Sequence, residues 1–136
     1  MSSVFLDTSA IYALLVQEDE EHEHASGILA SLDQTDVELV TSSFVLQETV
    51  ALLQARIGVS AARVFQERVF PVLEIEWIAR DLYERAVAAL LAASKRQVSL
   101  TDWTSFQVMR QRGIKAAFAF DDHFEEQGFE LLSPPS

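Results

Sequence analysis

The chain opens with the run Val4-Phe5-Leu6-Asp7-Thr8-Ser9, in which three apolar residues precede an acid and two hydroxyl residues. A short, uninterrupted apolar run is typical of a strand that is buried on both faces. Residues 8–16 are compatible with a helix, so the run predicts a strand that passes into a helix at Asp7. The pattern returns near the end of the chain, where residues 116–120 form an apolar run that stops at Asp121.

Strands and helices are predicted to alternate between these two segments. Further apolar runs predict strands at residues 38–41, 72–75 and 129–132. Helical patterns occupy residues 18–32, 43–57, 60–69, 80–94 and 101–112. Gly58 stands where a left-handed cap would end the second of these helices, and Gly113 closes the last.

This alternation determines the expected fold class. Parallel strands need crossover connections, so we expect an α/β fold, a three-layer sandwich with a mainly parallel central sheet flanked by helices. Nearly half of the residues, 49%, are hydrophobic, which is enough for one buried core. We expect a single domain over residues 1–133 and a frayed C-terminal tail over residues 134–136.

Composition excludes several chemistries. No apolar run approaches the roughly 18 residues that span a membrane, and no basic residue precedes an apolar stretch at the N-terminus. We therefore expect a soluble, cytoplasmic protein without a membrane partner. The chain has no cysteine, which excludes disulfides, thiolate nucleophiles and cysteine-bound metal, and favours oxygen ligands in any metal site.

The distribution of charge is uneven. The formal net charge of −11 argues against non-specific binding of nucleic acid. However, residues 1–55 contain no Lys or Arg, whereas residues 56–115 hold all ten basic residues against six acidic ones, a net charge of +4. A neutral or basic face could therefore guide a nucleic acid toward an acidic site elsewhere on the surface.

Asp7 and Asp121 occupy equivalent positions, because each ends a predicted buried strand. Ligand sites of open α/β sheets lie beyond the carboxyl ends of the strands, so these two side chains can converge. The alternative is that each acid caps the helix that follows it, and Asp122 with Glu125 forms a capping-box pattern.

Two further acids stand in helices. Glu48 has apolar neighbours on both sides along its helix, namely Phe44, Val45, Ala51 and Leu52. A charge on such a face is costly unless it is paired or binds a metal, although a residue at the edge of the stripe can reach water. Asp102 lies in the first turn of its helix, where the dipole favours a carboxylate, and Ser99 completes a capping-box pattern with it.

In their order and spacing, these segments resemble the PIN-domain family, and within it the VapC toxins of toxin–antitoxin pairs. The resemblance extends over nearly the whole chain, and its segments are Val4 to Ser9, Val45 to Thr49, Leu100 to Phe106 with Met109, Gly113 and Ile114, and Asp121 to Phe124 leading into Gly128 and Phe129. It implies that the acidic quartet of the site is Asp7, Glu48, Asp102 and Asp121.

The resemblance also implies roles for residues near the quartet. Thr8 and Ser105 match positions that support the site in the family. Asp122 falls at a variable position, which makes Asp121 the fourth acid. His123 is implied to be structural rather than a general base. A separate cluster at His22, Glu23 and His24 could bind a transition metal, but an acidic, solvated helix start is the commoner meaning.

The implied activity is that of a magnesium-dependent ribonuclease, with manganese able to substitute. Several carboxylates within about 5 Å repel one another by roughly 3 kcal/mol per pair at an effective dielectric near 20, and a divalent cation removes that cost. The implied partners are an RNA substrate, a small antitoxin protein and a second copy of the chain in a homodimer. The alternative is a PIN-fold module for RNA binding or regulation that has lost catalysis, for which the acidic composition is the main argument.

Three basic residues near the predicted Asp102 helix are the first candidates for binding RNA. These are Arg110, Arg112 and Lys115, which flank the end of that helix. Their alternative role is to complement the dipole at the helix C-terminus.

Overall fold

The computed structural model describes residues 2–135, so the first and last positions of the predicted domain and tail, Met1 and Ser136, lie outside the described residues. Over this range five parallel strands form one sheet in the order β3-β2-β1-β4-β5. The strands are β1 (Ser2–Leu6), β2 (Val37–Ser42), β3 (Glu74–Glu76), β4 (Ala116–Phe118) and β5 (Glu130–Leu131).

Helices flank this sheet, which confirms the predicted α/β class. Within residues 2–135 they are α1 (Thr8–Leu15), α2 (His22–Leu32), α3 (Ser43–Arg56), α4 (Val59–Val64), α5 (Arg80–Ala93), α6 (Leu100–Arg112) and α7 (His123–Glu126). A π-helical turn over Phe65–Val69 and a 3-10 turn over Phe70–Val72 follow α4. The chain therefore reaches β3 through irregular helical turns that replace the last part of the predicted helix at 60–69.

Two helices or strands end at other residues than predicted, because side chains form hydrogen bonds with backbone N–H groups there. The predicted strand at 116–120 stops at Phe118 because the N–H of Phe120 donates to Ser9 Oγ at 3.0 Å. The helix predicted from residue 18 begins at His22, since residues 17–21 form a turn in which Asp19 Oδ1 accepts from the N–H of Glu21. Gly58 has φ 141° and ψ 175°, which glycine tolerates but which is not the left-handed cap that the sequence suggested.

The carboxyl ends of β1 to β3 are tied together by hydroxyl groups. Thr41 Oγ1, fully buried, donates to the carbonyl of Leu6 at 2.7 Å. Ser43 Oγ accepts from the N–H of Ile78 at 2.9 Å, which joins the start of α3 to the segment after β3. These bonds fix where α1 and α3 leave the sheet, and so determine where their side chains lie.

An aromatic cluster holds α6 and α7 against the sheet. Phe106 packs edge-on against Phe124 with ring centres 5.1 Å apart, and Phe124 also approaches Phe5 of β1 at 6.3 Å. All three side chains are completely buried. Burial of aromatic area on this scale fixes α6 relative to β1, and therefore Asp102 relative to Asp7.

Two findings concern the membrane and tail predictions. Among the helices of residues 2–135, none combines the length and the apolar character that crossing a membrane requires. In the predicted tail, Pro134 is exposed but lies beside Gly27 of α2. A Cβ atom placed on Gly27 would be 3.6 Å from the Cβ of Pro134.

Candidate metal centre

Three carboxylates from distant parts of the chain meet at the carboxyl edge of the sheet. Asp7, Asp102 and Asp121 each present an oxygen, and the three oxygens lie within 4.8 Å of one another. Asp7 follows β1, and its N–H donates to the carbonyl of Phe118 at 3.0 Å, which extends the pairing of β1 and β4. The strand-end acids therefore converge as their positions in the sequence indicated.

Each of the three carboxylates also caps the backbone beside it. Asp7 Oδ2 accepts from the N–H of Ser9 at 3.2 Å at the start of α1. Asp121 Oδ1 accepts from the N–H of His123 at 3.0 Å. Asp102 and Ser99 form the full capping box of α6, with bonds of 2.9 and 3.1 Å. Capping and clustering were alternatives in the sequence, but here the same side chains do both.

The cluster is electrostatically costly in the absence of a cation. Burial, followed by the charges of Asp121 and Asp102, raises the pKa of Asp7 from 3.8 to about 7, although the bond from Ser9 acts in the opposite direction. Burial and the charge of Asp102 also raise the pKa of Asp121. Desolvation and like charges together disfavour ionisation of this group, as expected for a site that a positive ion completes.

Glu48 lies on the wall of the same cleft. It is half-buried on α3 and is not one of the three residues that lie within 4.8 Å of one another. The cleft has a volume of about 400 Å³, and its wall includes Asp7, Thr8, Ser9, Tyr12, Asp19, Glu20, Glu21, Glu48, Leu52, Arg56, Ser99, Asp102 and Phe120. The structure thus brings oxygens of three of the four predicted acids within 4.8 Å of one another and places the fourth acid on the cleft wall.

Ser9 is a positioning residue that the sequence reasoning missed. Its Oγ donates to Asp7 Oδ2 at 2.6 Å and accepts from the N–H of Phe120 at 3.0 Å. This hydroxyl therefore joins the Asp7 carboxylate to the residue that precedes Asp121. The Asp-x-Ser spacing, in which the side chains of residues two apart can bond around a helix start, is the signal that would have found it.

The two hydroxyl residues implied to support the site behave differently. Thr8 is buried on the cleft wall, and its Oγ1 has no hydrogen-bond partner within residues 2–135. Ser105 is fully buried, and its Oγ donates to the carbonyl of Thr101 within α6 at 2.9 Å. Thr8 therefore has an unpaired buried hydroxyl within the described residues, whereas the Ser105 hydroxyl is used inside its own helix.

In the Asp121 to Phe124 segment, the acid that lies in the carboxylate cluster is Asp121. Asp122 is exposed, and within residues 2–135 its side chain makes no capping bond, so the predicted Asp122–Glu125 capping box is wrong. His123 Nδ1 lies 3.3 Å from Glu126 Oε1, and Phe124 is part of the aromatic core. The His-Phe pair is thus placed for a structural role.

The histidine cluster near α2 is also held by the chain itself. His22 Nδ1 lies 2.7 Å from the carbonyl of Ala13, and His24 Nδ1 lies 3.0 Å from Glu21 Oε2. Among the residues that the structure describes, Asp7, Asp102 and Asp121 are the one group whose ligand atoms are close enough to hold a metal.

The basic residues first considered for RNA binding lie away from the carboxylates. Arg112 pairs with Glu76 at 2.8 Å, and Arg110 donates to Gln127 and lies over the ring of Phe129. Lys115 borders β4 at its amino end, whereas the acids lie beyond the carboxyl ends. Arg56, which the sequence reasoning did not single out, is the basic residue among those that line the cleft.

Comparison with known proteins identifies the class to which this fold and cluster belong. The PIN domain matches residues 4–130, and the chain belongs to the PIN-domain family. It resembles the VapC toxins within that family, as its motifs suggested: it is 38% identical over 135 residues to VapC20 of Mycobacterium tuberculosis, described as a 23S rRNA-specific endonuclease, with 96% of this chain and 98% of the relative covered.

Solved structures agree with this assignment. The crystal structure of M. tuberculosis VapC20, described as a Sarcin-Ricin loop cleaving toxin, superposes with a TM-score of 0.87 at 37% identity, covering 96% of this chain and 99% of that one. FitAcB of Neisseria gonorrhoeae (TM-score 0.65, 15% identity, 95% and 96% covered) and VapBC2 of Rickettsia felis (TM-score 0.70, 12% identity, 96% and 97% covered) share the fold.

Proposed function

We propose that this chain is a divalent-metal-dependent endoribonuclease, with magnesium as the working ion and manganese as a substitute, and that it is the toxin of a VapBC-type pair. The observation that carries the proposal is the meeting of three carboxylate oxygens within 4.8 Å, from Asp121 and from Asp7 and Asp102, which line the cleft. It is supported by 38% identity over nearly the full length to a protein described as a 23S rRNA-specific endonuclease.

The donor set fits a hard divalent cation. All of its ligand atoms are carboxylate oxygens, which magnesium and manganese prefer. The raised pKa values of Asp7 and Asp121 follow from burial and mutual repulsion, which a cation between the carboxylates would relieve. When bound, such an ion would supply an activated water and offset charge on the phosphoryl oxygens.

The chain's own residues divide the remaining work. Asp7, Asp102 and Asp121 would hold the ion, and Glu48 on the cleft wall would act on its outer ligands or on the attacking water. Ser9 fixes the Asp7 carboxylate through its 2.6 Å bond. Thr8 lines the cleft, and its buried hydroxyl has no hydrogen-bond partner among the described residues.

The experiment that tests this proposal is a cleavage assay with purified protein. An RNA hairpin with the sarcin–ricin loop sequence is the first substrate, because the relative with 37% identity is described as cleaving that loop. We expect cleavage with magnesium or manganese, none with chelator, and none by Asp7→Asn. The matched control is Asp122→Asn, which removes an exposed acid next to the cluster and should cleave normally. Full activity of Asp7→Asn, or activity in chelator, would refute the proposal.

Two protein partners belong to the same proposal. A VapC-type toxin requires a neutralising antitoxin, and we propose a small antitoxin and a homodimer for this chain. Large apolar side chains are exposed between the end of α3 and α5, namely Ile57, Val59, Val64, Val72 and Trp77. Exposed apolar groups of this kind are typical of protein interfaces. Co-expression with the product of a neighbouring small gene should suppress cleavage, and light scattering should give the mass of two chains.

A further inference from the structure

Arg56 and Tyr12 form a cation–π pair in the wall of the acidic cleft. Arg56 lies in the last turn of α3, and its Cζ lies 5.4 Å from the centre of the Tyr12 ring on α1. Both side chains line the cleft that contains Asp7 and Asp102. The Arg56 guanidinium is thus held over the Tyr12 ring in the wall of the cleft that Asp7 and Asp102 also line.

The partner that Arg56 takes is unexpected from charge alone. Three acids outside α3 that line the same cleft could pair with it, namely Asp19, Glu20 and Glu21. Yet in the part of the chain that the structure describes, Arg56 forms no ion pair, whereas Arg80, Arg85 and Arg112 each pair with a carboxylate. A cation–π contact gives the guanidinium no hydrogen-bond acceptor, so Arg56 keeps its N–H donors for another acceptor.

The pair also lies at a junction between two cavities. An adjoining cavity, which Val16, Glu18 and Ile57 border, shares Tyr12, Asp19, Glu20 and Arg56 with the cleft. A strand of nucleotides that occupies the cleft and continues into this cavity has to pass the pair. The acids at the junction would repel such a strand, and of the residues that line either cavity within the described chain, Arg56 is the basic one.

We infer that Tyr12 and Arg56 form a nucleotide-binding site beside the carboxylate cluster, in which Arg56 binds an RNA phosphate adjacent to the one that is cleaved. The inference rests on the proposed function, because it places the same RNA. The guanidinium presents a planar pair of donors that matches two phosphate oxygens, and the Tyr12 ring holds it in position. Arg56 and Tyr12 are positioning residues for the substrate and do not touch the cleaved bond.

Steady-state kinetics on the sarcin–ricin hairpin test the inference. Arg56→Gln should raise KM about tenfold or more, the size expected for one charge-assisted contact, while kcat changes less. Arg56→Lys should raise KM less than Arg56→Gln does, because an ammonium keeps the charge but lacks the two parallel N–H donors of a guanidinium. The control is Arg68→Gln, which removes an exposed arginine that lines neither cavity and should leave both constants unchanged.

Binding in an inactive background separates this inference from the proposed function. With Asp7→Asn in every variant, fluorescence anisotropy gives the Kd of the labelled hairpin without cleavage. Adding Arg56→Gln should weaken binding and reduce the slope of log K against log salt by about 0.7 to 0.9, one phosphate contact. Tyr12→Leu should weaken binding in the same direction. Melting temperatures identify any variant that fails to fold, in which case Arg56→Lys supplies the comparison.

Each outcome decides between the two ideas. If wild type does not cleave but Arg56→Gln still weakens binding, the proposed function fails and the nucleotide site stands. If wild type cleaves and Arg56→Gln matches Arg68→Gln in KM, Kd and salt dependence, the inference is overturned and the ribonuclease stands. A loss confined to kcat, with Kd unchanged, also overturns it.

Discussion

The two ends of α6 differ in the charges that surround them. In its first turn, Asp102 lies within 4.8 Å of two other carboxylates. In its last turn, Arg112 pairs with Glu76 at 2.8 Å and Arg110 lies over Phe129. Like charges are crowded at one end of the helix, and the charges at the other end are paired or stacked within the chain.

This difference indicates which end is available for ligands. Paired groups such as Arg112 and Glu76 gain little from binding something else, because their partners are already in place. Crowded carboxylates gain a great deal, since a cation removes both their repulsion and the cost of burying their charge. The N-terminal end of α6 is therefore the end that a bound cation would stabilise, and at the C-terminal end the charges have partners within the chain.

The strongest test of the comparison removes one acid from the crowded end. Asp102→Asn should lower kcat/KM by about 10² to 10³-fold or more, the scale for losing one electrostatic contact to the reacting group. It should also raise the melting temperature of the metal-free protein, because one repulsive charge disappears. Asparagine can still accept the N–H of Ser99, so the capping box remains. Cleavage within twofold of wild type would place Asp102 outside the catalytic cluster.

The pH dependence of stability sharpens the same contrast. The pKa of Asp7 is about 7 in the folded protein against 3.8 for the free side chain, because of its burial and its acidic neighbours. The folded state therefore binds the Asp7 proton more tightly than the unfolded state does. The stability that this proton contributes is complete below about pH 4 and is lost as the pH rises to about 7. Linkage sets this loss at up to about 4 kcal/mol without metal.

Denaturant titrations in EDTA at several pH values measure this effect. Asp7→Asn lacks the titrating group, so the difference in unfolding free energy between wild type and mutant should grow from pH 4 to pH 7. A constant difference over that range would show that the folded protein does not hold this proton.

The sequence predicted one part of this arrangement and not the other. Asp7 and Asp121 follow buried apolar strands, and the ends of parallel strands share one edge, so their convergence could be derived from position alone. Asp102 lies on a helix, and no spacing rule brings a helical side chain to that edge. The family resemblance implied that Asp102 belongs to the site. From the sequence alone, its capping box with Ser99 was enough to explain an acid at this position.

The choice of basic residues shows why closeness in sequence misleads. Arg110 stands eight positions after Asp102, but a helix rises about 1.5 Å per residue, which separates the two by roughly 12 Å. Arg56 stands at least eight positions from every acid of the quartet, yet α3 brings it into the cleft. Its cation–π contact with Tyr12 depends on how α1 and α3 lie against each other, which no local sequence pattern predicts.

Metal binding should reverse the cost at the crowded end. Magnesium at a hundred times its dissociation constant should stabilise the folded protein by about 2.7 kcal/mol, if it binds the folded state alone. The stabilisation should be smaller at pH 5 than at pH 8, because protons compete with magnesium for the carboxylates. Thermal unfolding with and without magnesium measures it, and Asp7→Asn is the control that should respond least. An identical response in wild type and mutant would move the ion away from Asp7.

The smallest effect belongs to the paired end of α6. Arg112→Gln removes the bonds to Glu76 and Glu74, a partly buried pair that joins α6 to β3. An ion pair of this kind is worth about 1 kcal/mol or less, so the unfolding free energy should fall by that amount, and the difference from wild type should shrink at high salt, which screens the pair. Cleavage of RNA should be unchanged, because the pair lies at the opposite end of the helix from Asp102. If Arg112→Gln instead weakened RNA binding while stability was unaffected, the paired end would carry function too, and the contrast between the two ends of α6 would fail.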